Sequence, residues 1–336
     1  MIQASGSVRV DLLGGTLDLN PINYIIPNVV TLNVATTLKA KVTLEETSEN
    51  GIEINSIDYD SSVFYGQDDF SSENLRSGFF GPLRFIAEIL QYFEITSRIK
   101  LTLSSGSPTG AGLGGSSAMG VTLYRALCQW KKLKVDPAIA VKTVNGIEAR
   151  ILDSGPAGYQ DYYPALYGGV LALTPKWEGV KVEQLFSDEL KQYLESHLTL
   201  VFSGESRNSG INNWEVYKHF FDKDLKTRNG LEGIAKLSNL ALEAIRKKNY
   251  PELLKLIAEE GRNRQELFPG IVTPKMYSLF ESISKNLGHV GMKACGAGGG
   301  GCFLLTHEPE NLPALEEAIR AQGMKILDFS IEAPQI

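Results

Sequence analysis

Residues 107–119 read Ser-Pro-Thr-Gly-Ala-Gly-Leu-Gly-Gly-Ser-Ser-Ala-Met, with four glycines in six positions. Just before them, residues 100–104 alternate between polar and apolar, which predicts a half-buried strand. After the serine pair the apolar residues recur at helical spacing, which predicts a stripe of Met119, Leu123, Leu127 and Trp130. Backbone N–H groups that no side chain shields, next to a helix N-terminus, form a site for a phosphate anion. The stretch therefore predicts a phosphate-binding loop between a strand and a helix.

Two other interpretations of this loop fit the sequence less well. Gly110, Gly112 and Gly115 match the spacing of a dinucleotide-binding fingerprint, and Asp136 follows about 20 residues later. However, no clear second strand precedes Asp136, and Pro137 after it indicates a helix cap. A tight turn without a ligand explains one or two glycines better than four. No Lys-Ser/Thr pair of the Walker type follows the glycines.

A second glycine run, residues 295–302, reads Cys-Gly-Ala-Gly-Gly-Gly-Gly-Cys. The apolar segments on both sides predict two short strands joined by a broad turn. Four consecutive glycines exceed what a plain hairpin requires, and each costs conformational entropy on folding. Close approach of the backbone to a ligand explains the run better, and it makes Gly298 and Gly299 candidate substrate contacts.

Three motifs, in order and at suitable spacing, resemble those of the GHMP kinase superfamily, which includes galactokinase, homoserine kinase, mevalonate kinase and phosphomevalonate kinase. They are residues 8–18, 108–117 and 293–303, so the resemblance covers almost the whole chain. Strands followed by helices in each half predict an α+β protein. The resemblance implies two lobes with ATP and the substrate in the cleft between them.

Shorter features resemble the heptose-phosphate kinase branch of that superfamily. Gly14-Gly15-Thr16 stands where several members have Gly-Glu-His, and segments 159–169 and 202–207 resemble two further stretches of the branch. These matches imply a sugar or sugar phosphate as the acceptor, such as a heptose phosphate phosphorylated at its anomeric hydroxyl. A mevalonate-type kinase is the alternative, because its phosphate machinery would be the same. A catalytically silent sensor of the same fold is a further alternative.

The resemblance implies that the phosphates of ATP bind Pro108, Gly110, Gly112, Leu113, Gly114, Gly115, Ser116 and Ser117. Gly115 replaces the first serine of the pair found in many members, so Ser116 takes the place of the Mg²⁺-binding serine, and Ser117 shares or exchanges that role. Glu148, in the helical pattern of residues 136–152, matches the family's metal-binding glutamate. Without the resemblance it would be interpreted as a surface acid.

Asp161 is the candidate catalytic base, because it matches the family's base and lies in a segment rich in glycine, proline and aromatic residues. Arg9 takes the slot of a Lys or Arg beside it, where it would keep Asp161 ionised and neutralise charge on the γ-phosphate. The alternatives are that Asp161 caps a helix over residues 162–167 and that Arg9 is a strand-edge surface residue.

The substrate candidates are Asp18, Thr16, Gln160 and Arg207. A carboxylate accepts hydrogen bonds from two adjacent sugar hydroxyls, which makes Asp18 the first of them. Arg207 would meet a phosphate already present on the substrate. Lys293 could do the same, although a lysine at a strand end is usually solvated.

The composition sets further limits on the protein and its partners. A net charge of −6 without a basic block argues against nucleic acid, and no long apolar run or signal pattern indicates a membrane. Three cysteines without a C-x-x-C pair indicate a reducing compartment, so we expect a cytoplasmic monomer or homodimer with a small-molecule substrate.

The periodic pattern of apolar residues weakens between residues 175 and 190, which predicts lobes at 1–183 and 184–336. In the second, helices are predicted at 231–246, 251–264, 274–286 and 313–322 after a strand at Leu198–Phe202.

Overall fold

The computed structural model describes residues 1–152, 158–206, 209–288 and 290–335. Within these ranges two β-sheets are packed against helices, which confirms the predicted α+β class. None of the described helices combines the length and the apolar character that crossing a bilayer requires. The division into lobes at residues 183 and 184 stays a proposal.

Seven strands in the described ranges form the first sheet: β1 (Ile2–Leu13), β2 (Thr31–Glu46), β3 (Gly51–Ser56), β4 (Ser61–Gly66), β5 (Ile99–Ser104), β6 (Val170–Lys176) and β7 (Gly179–Gln184). Their order is β4-β3-β5-β2-β6-β7, with β1 paired to β2 and with β3 and β5 parallel. The alternation predicted for β5 is confirmed, because Ile99, Leu101 and Leu103 are all buried.

The helices of this half are α1 (Ile22–Ile25), α2 (Ser72–Ser77), α3 (Arg84–Tyr92), α4 (Gly115–Trp130), α5 (Pro137–Leu152) and α6 (Tyr163–Tyr167). The central helix α4 packs on β1 and β2, and its predicted stripe faces the core. Asp136 accepts hydrogen bonds from the N–H groups of Ala138 and Ile139, at 2.9 and 3.1 Å. Asp136 therefore caps α5, as predicted. This cap explains why an aspartate stands here, and no role in dinucleotide binding is needed.

The second sheet contains β8 (Leu198–Phe202), β9 (Gly291–Ala294), β10 (Cys302–Thr306) and β11 (Lys325–Ile326), in the order β11-β8-β10-β9. The helices of this half are α7 (Asp188–His197), α8 (Ser209–Phe221), α9 (Leu225–Arg246), α10 (Tyr250–Leu267), α11 (Pro274–Leu287) and α12 (Leu312–Ala321). The predicted strand pair around the second glycine run is confirmed. Helix α9 begins six residues before the predicted start, because the Asp224 side chain caps it by accepting from Thr227 N.

Candidate active site

The predicted phosphate loop connects β5 to α4 and lines a cavity of about 320 Å³. Gly110, Gly112 and Gly114 have φ values of 71°, 80° and 71°, in the left-handed region that favours glycine. A Cβ atom on Gly114 would lie 3.0 Å from the Cβ of Asp161, so this glycine also allows the loop to approach the candidate base. The loop backbone at Gly114 therefore lies directly against Asp161.

One end of the same cavity is lined by residues that the sequence did not assign. Asp58, Tyr59 and Phe85 are among them, and the Asp58 carboxylate accepts from Ser105 N at 2.6 Å. Two aromatic rings next to a phosphate loop suit the planar base of a nucleotide. Asp58 and Tyr59 follow β3 in a turn, so their position depends on sheet pairing rather than on a local motif.

Arg9 connects Asp161 to the phosphate loop. Its Nε donates to Asp161 Oδ1 at 2.8 Å, Nη2 lies 2.7 Å from the same oxygen, and Nη1 donates to Gly112 O at 2.6 Å. Burial alone would lower the pKa of Arg9, but the carboxylates of Asp161 and Asp11 outweigh it and raise that pKa. Arg9 is therefore a buried cation rather than a strand-edge surface residue. Asp161 pairs with it and does not cap α6, which has no side-chain cap.

Glu148 and the serine pair meet at the start of α4. Glu148 Oε2 accepts from Ser117 Oγ at 2.7 Å and from the Tyr162 hydroxyl at 2.6 Å. Burial raises the pKa of Glu148, although these hydrogen bonds oppose the rise. No lysine, arginine or histidine in the described ranges forms an ion pair with it. Ser116 is exposed and faces the cavity that Glu148 also lines.

Asp18 holds the segment that carries Asp161. Its Oδ2 accepts from Gln160 N at 3.0 Å, its Oδ1 accepts from Gln160 Nε2 at 3.2 Å, and a Cβ on Gly158 would collide with it. Burial and the nearby Asp161 carboxylate raise the pKa of Asp18 to about 6. The structure therefore brings the predicted residues Asp18 and Gln160 into direct contact.

Thr16 belongs to a buried charge cluster that sequence reasoning missed. Arg264 donates to Thr16 Oγ1 at 3.0 Å and to Gly15 O at 2.6 Å, and it lies 2.8 Å from a Glu260 oxygen. Lys293 is also fully buried and lies 2.9 Å from Asp11 Oδ2. In sequence, Glu260 and Arg264 form an ordinary i,i+4 pair on a helix, so no local signal marks them.

The second glycine run packs against the phosphate loop. Cys302 N donates to Ala111 O at 2.7 Å, and a Cβ on Gly301 would lie 2.7 Å from the same oxygen. A Cβ on Gly298 would meet Ile271 O at 2.4 Å, and Gly299 N donates to that oxygen. Backbone packing accounts for glycine at 298 and 301 without a ligand. The role of Gly298 and Gly299 in substrate binding stays a prediction, and Arg207 lies outside the described residues.

Comparison with known proteins gives matches along the chain. The family model described as GHMP kinases N terminal domain matches residues 82–169, and that described as GHMP kinases C terminal matches residues 241–324. Together the two models match just over half of the chain.

The chain is similar to the D-glycero-alpha-D-manno-heptose 7-phosphate kinase of Campylobacter jejuni, at 23% identity over 333 residues, 98% of this chain and 96% of the relative. It is 26% identical to the mevalonate kinase of Saccharolobus solfataricus over 251 residues, 74% of each chain. Among solved structures, Streptococcus pneumoniae phosphomevalonate kinase in complex with phosphomevalonate and AMPPNP has a TM-score of 0.74 at 15% identity. That match covers 98% of this chain and 100% of the neighbour.

Proposed function

The chain belongs to the GHMP kinase family and is a phosphotransferase that acts on a hydroxyl group. We propose that it transfers the γ-phosphate of ATP, with Mg²⁺, to a hydroxyl of a sugar or sugar phosphate of the heptose-phosphate kind. The main support for this proposal is that Arg9 contacts both Asp161 and Gly112 O, because these contacts hold the candidate base beside the phosphate loop.

The donor set near the loop fits Mg²⁺. Glu148 is a buried carboxylate without an ion-pair partner in the described ranges, and burial raises its pKa with no cation to offset the loss of solvation. A hard cation that prefers oxygen ligands would supply the compensation, with Ser116 Oγ as a second ligand and phosphate oxygens and water as the others. Ser117 and Tyr162 orient the carboxylate by donating to Glu148 Oε2. When bound, Mg²⁺ neutralises charge on the transferred phosphoryl group.

Asp161 orients and deprotonates the attacking hydroxyl. Its side chain is 24% exposed and Arg9 contacts only Oδ1 among its oxygens, so Oδ2 would accept the proton of the hydroxyl. The guanidinium pairs with this carboxylate, and its positive charge would also offset negative charge on the γ-phosphate. Asp18, through Gln160, fixes the backbone that leads into Asp161. Asp161 therefore accepts the proton, and Arg9 and Asp18 position Asp161.

Buried oxygens on β1, on β2 and beside Asp161 favour a sugar as the acceptor. Asp11 Oδ1, Asn33 Oδ1 and Gln160 Oε1 are buried acceptors without a donor in the described part of the chain. The cations Arg264 and Lys293 are already matched by Glu260 and Asp11. Hydroxyl groups of a polyol supply the donors that these oxygens need.

A mevalonate-type kinase is the second candidate. It is supported by the 26% identity to the mevalonate kinase of Saccharolobus solfataricus. The pairing of Arg264 and Lys293 with Glu260 and Asp11 does not separate the two candidates, because the carboxylate of mevalonate and the phosphate of a sugar phosphate both need a cation. A silent sensor is disfavoured because Asp161 and Glu148 are both present.

The test measures ADP release with ATP and Mg²⁺ against heptose phosphates, hexoses, mevalonate and homoserine. Asp161→Asn is assayed alongside, with the exposed Asp328→Asn as the matched control. We expect turnover on one sugar, a loss of roughly 10²–10⁴-fold in the first variant and no change in the control. Turnover on mevalonate would contradict the sugar assignment but not the mechanism. Equal activity of wild type and Asp161→Asn would contradict the role of the base.

A further inference from the structure

A second cavity, of about 580 Å³, lies between α2, α3 and α5 and is separate from the phosphate loop. We name it the α3/α5 cavity, and its charged lining residues are Arg76, Arg84, Glu88, Lys142 and Arg150. Other faces of the same two long helices line the phosphate cavity, through Phe85 and Ile86 on α3 and Glu148 on α5. The two cavities therefore share walls but not residues.

The charges that line the α3/α5 cavity do not balance. Among its described lining residues, four are cations and one, Glu88, is an acid. Glu88 is nearly fully buried and pairs with both Arg84 and Arg150, which holds the two guanidinium groups in place across α3 and α5. Arg76 and Lys142 have no ion pair within the described part of the chain. This excess of positive charge stands out in a protein with a net charge of −6.

Two polar atoms of the cavity's lining residues are buried without a partner. Arg84 Nε is a donor without an acceptor, and Gln91 Oε1 is an acceptor without a donor, both counted over the described residues. A buried polar atom without a partner costs free energy, so a ligand that satisfies it is stabilised. Arginine side chains bind phosphate through parallel hydrogen bonds, and a hydroxyl or protonated phosphate oxygen would satisfy Gln91.

We propose that the α3/α5 cavity is a second ligand site, which binds a small molecule carrying two phosphate groups. Arg84 and Arg150, which Glu88 holds in place, would bind one phosphate. Arg76 and Lys142 would neutralise the other. A volume of about 580 Å³ accommodates a diphosphate with an attached organic group. The proposal does not depend on which acceptor the enzyme phosphorylates.

The experiment is calorimetric titration of inorganic pyrophosphate into the full chain, saturated with ADP and Mg²⁺ at fixed free Mg²⁺. ADP fills the phosphate loop, so that the titration reports a site elsewhere. We expect wild type to bind one pyrophosphate, with an affinity that falls as salt increases. The charge-reversal variant Arg76→Glu/Lys142→Glu should bind it at least roughly tenfold more weakly.

The matched control is Lys226→Glu/Lys325→Glu, which makes the same change in net charge at two exposed lysines outside the cavity. It should bind pyrophosphate like wild type. If Arg76→Glu/Lys142→Glu does not fold, as judged by its thermal transition, Arg76→Gln/Lys142→Gln replaces it. Absence of binding to wild type, or equal binding to the cavity variant and to wild type, would overturn the proposal.

Discussion

Lys293 Nζ lies 2.9 Å from Asp11 Oδ2, and neither side chain is exposed to solvent. The pair joins β9 of the second sheet to β1 of the first. Glu260 lies 3.6 Å from the same lysine and pairs with Arg264, so two cations match two carboxylates in the interior. Burial alone would raise the pKa of Asp11, but Lys293, Arg264 and Arg9 together bring it below its usual value. The cluster couples the two halves of the protein.

Lys293→Met should destabilise the protein strongly, because it leaves a buried carboxylate on Asp11 without its cation. The expected loss in the free energy of unfolding is about 3–5 kcal/mol, measured by urea denaturation. Lys325→Met, at an exposed lysine, should stay within about 0.5 kcal/mol of wild type. Asp11→Leu/Lys293→Met should recover much of the loss. No recovery in that double variant would contradict the unpaired charge as the cause.

Arg9→Met should lower kcat, because it removes the cation that holds Asp161 and the hydrogen bond to Gly112 O. We expect a loss of roughly 10²–10³-fold in steady-state turnover. Arg9→Lys keeps the charge but not the fork that binds both groups, so it should recover only part of kcat. Full activity of Arg9→Met would show that Asp161 is positioned without this contact.

Glu148→Gln should raise the Mg²⁺ concentration needed for half-maximal rate by roughly 10–100-fold. Ser116→Ala should raise it as well, since Ser116 faces the cavity. Ser117→Ala should have a smaller effect, because the buried Ser117 hydroxyl already donates to Glu148, whereas Ser116 is exposed in the cavity. Glu281→Gln, on an exposed position of α11, is the control. A larger effect for Ser117→Ala than for Ser116→Ala would reverse the two assigned roles.

The features predicted from sequence were those with a local cause. The glycines of the phosphate loop, the alternation of β5 and the cap by Asp136 each follow from a few adjacent residues. Arg9 and Asp161 were paired through the family resemblance, since they are 152 residues apart. Neither the motif at residues 8–18, which contains Arg9, nor the residues around Asp161 identify the two as partners.

The features that were missed depend on the packing of distant elements. From sequence, Lys293 is either a contact to a substrate phosphate or a solvated lysine at a strand end, but α10 packs on β9 so closely that a Cβ on Gly261 would meet Met292 O at 2.0 Å. This packing encloses Lys293 with Asp11 and Glu260. Burial of that kind is set by how two sheets and a helix pack together, and no local sequence pattern predicts it.

The pKa of Asp18 predicts a pH dependence of stability. Its value is about 6 in the folded protein against 3.8 for an ordinary aspartate, so between these values the folded state binds more protons than the unfolded state. The free energy of unfolding should therefore fall as pH rises through this window, by up to about 3 kcal/mol from this group. Asp18→Asn should lack this component. Identical pH slopes for the two proteins, in urea denaturation from about pH 4 to about pH 7, would contradict it.

Gly114→Ala should reduce both stability and turnover, because it combines an unfavourable φ of 71° with a contact 3.0 Å from Asp161 Cβ. We expect a loss of about 1–3 kcal/mol in the free energy of unfolding, with a lower kcat as the base shifts. Gly146→Ala is the matched control, because an added Cβ meets nothing within 4 Å in α5. Helix propensity should make that variant more stable by up to about 1 kcal/mol with unchanged kcat. If Gly114→Ala kept wild-type kcat, the close approach of loop and base would not be required for phosphoryl transfer, and the contacts of Arg9 and Asp18 would have to account for the placement of Asp161.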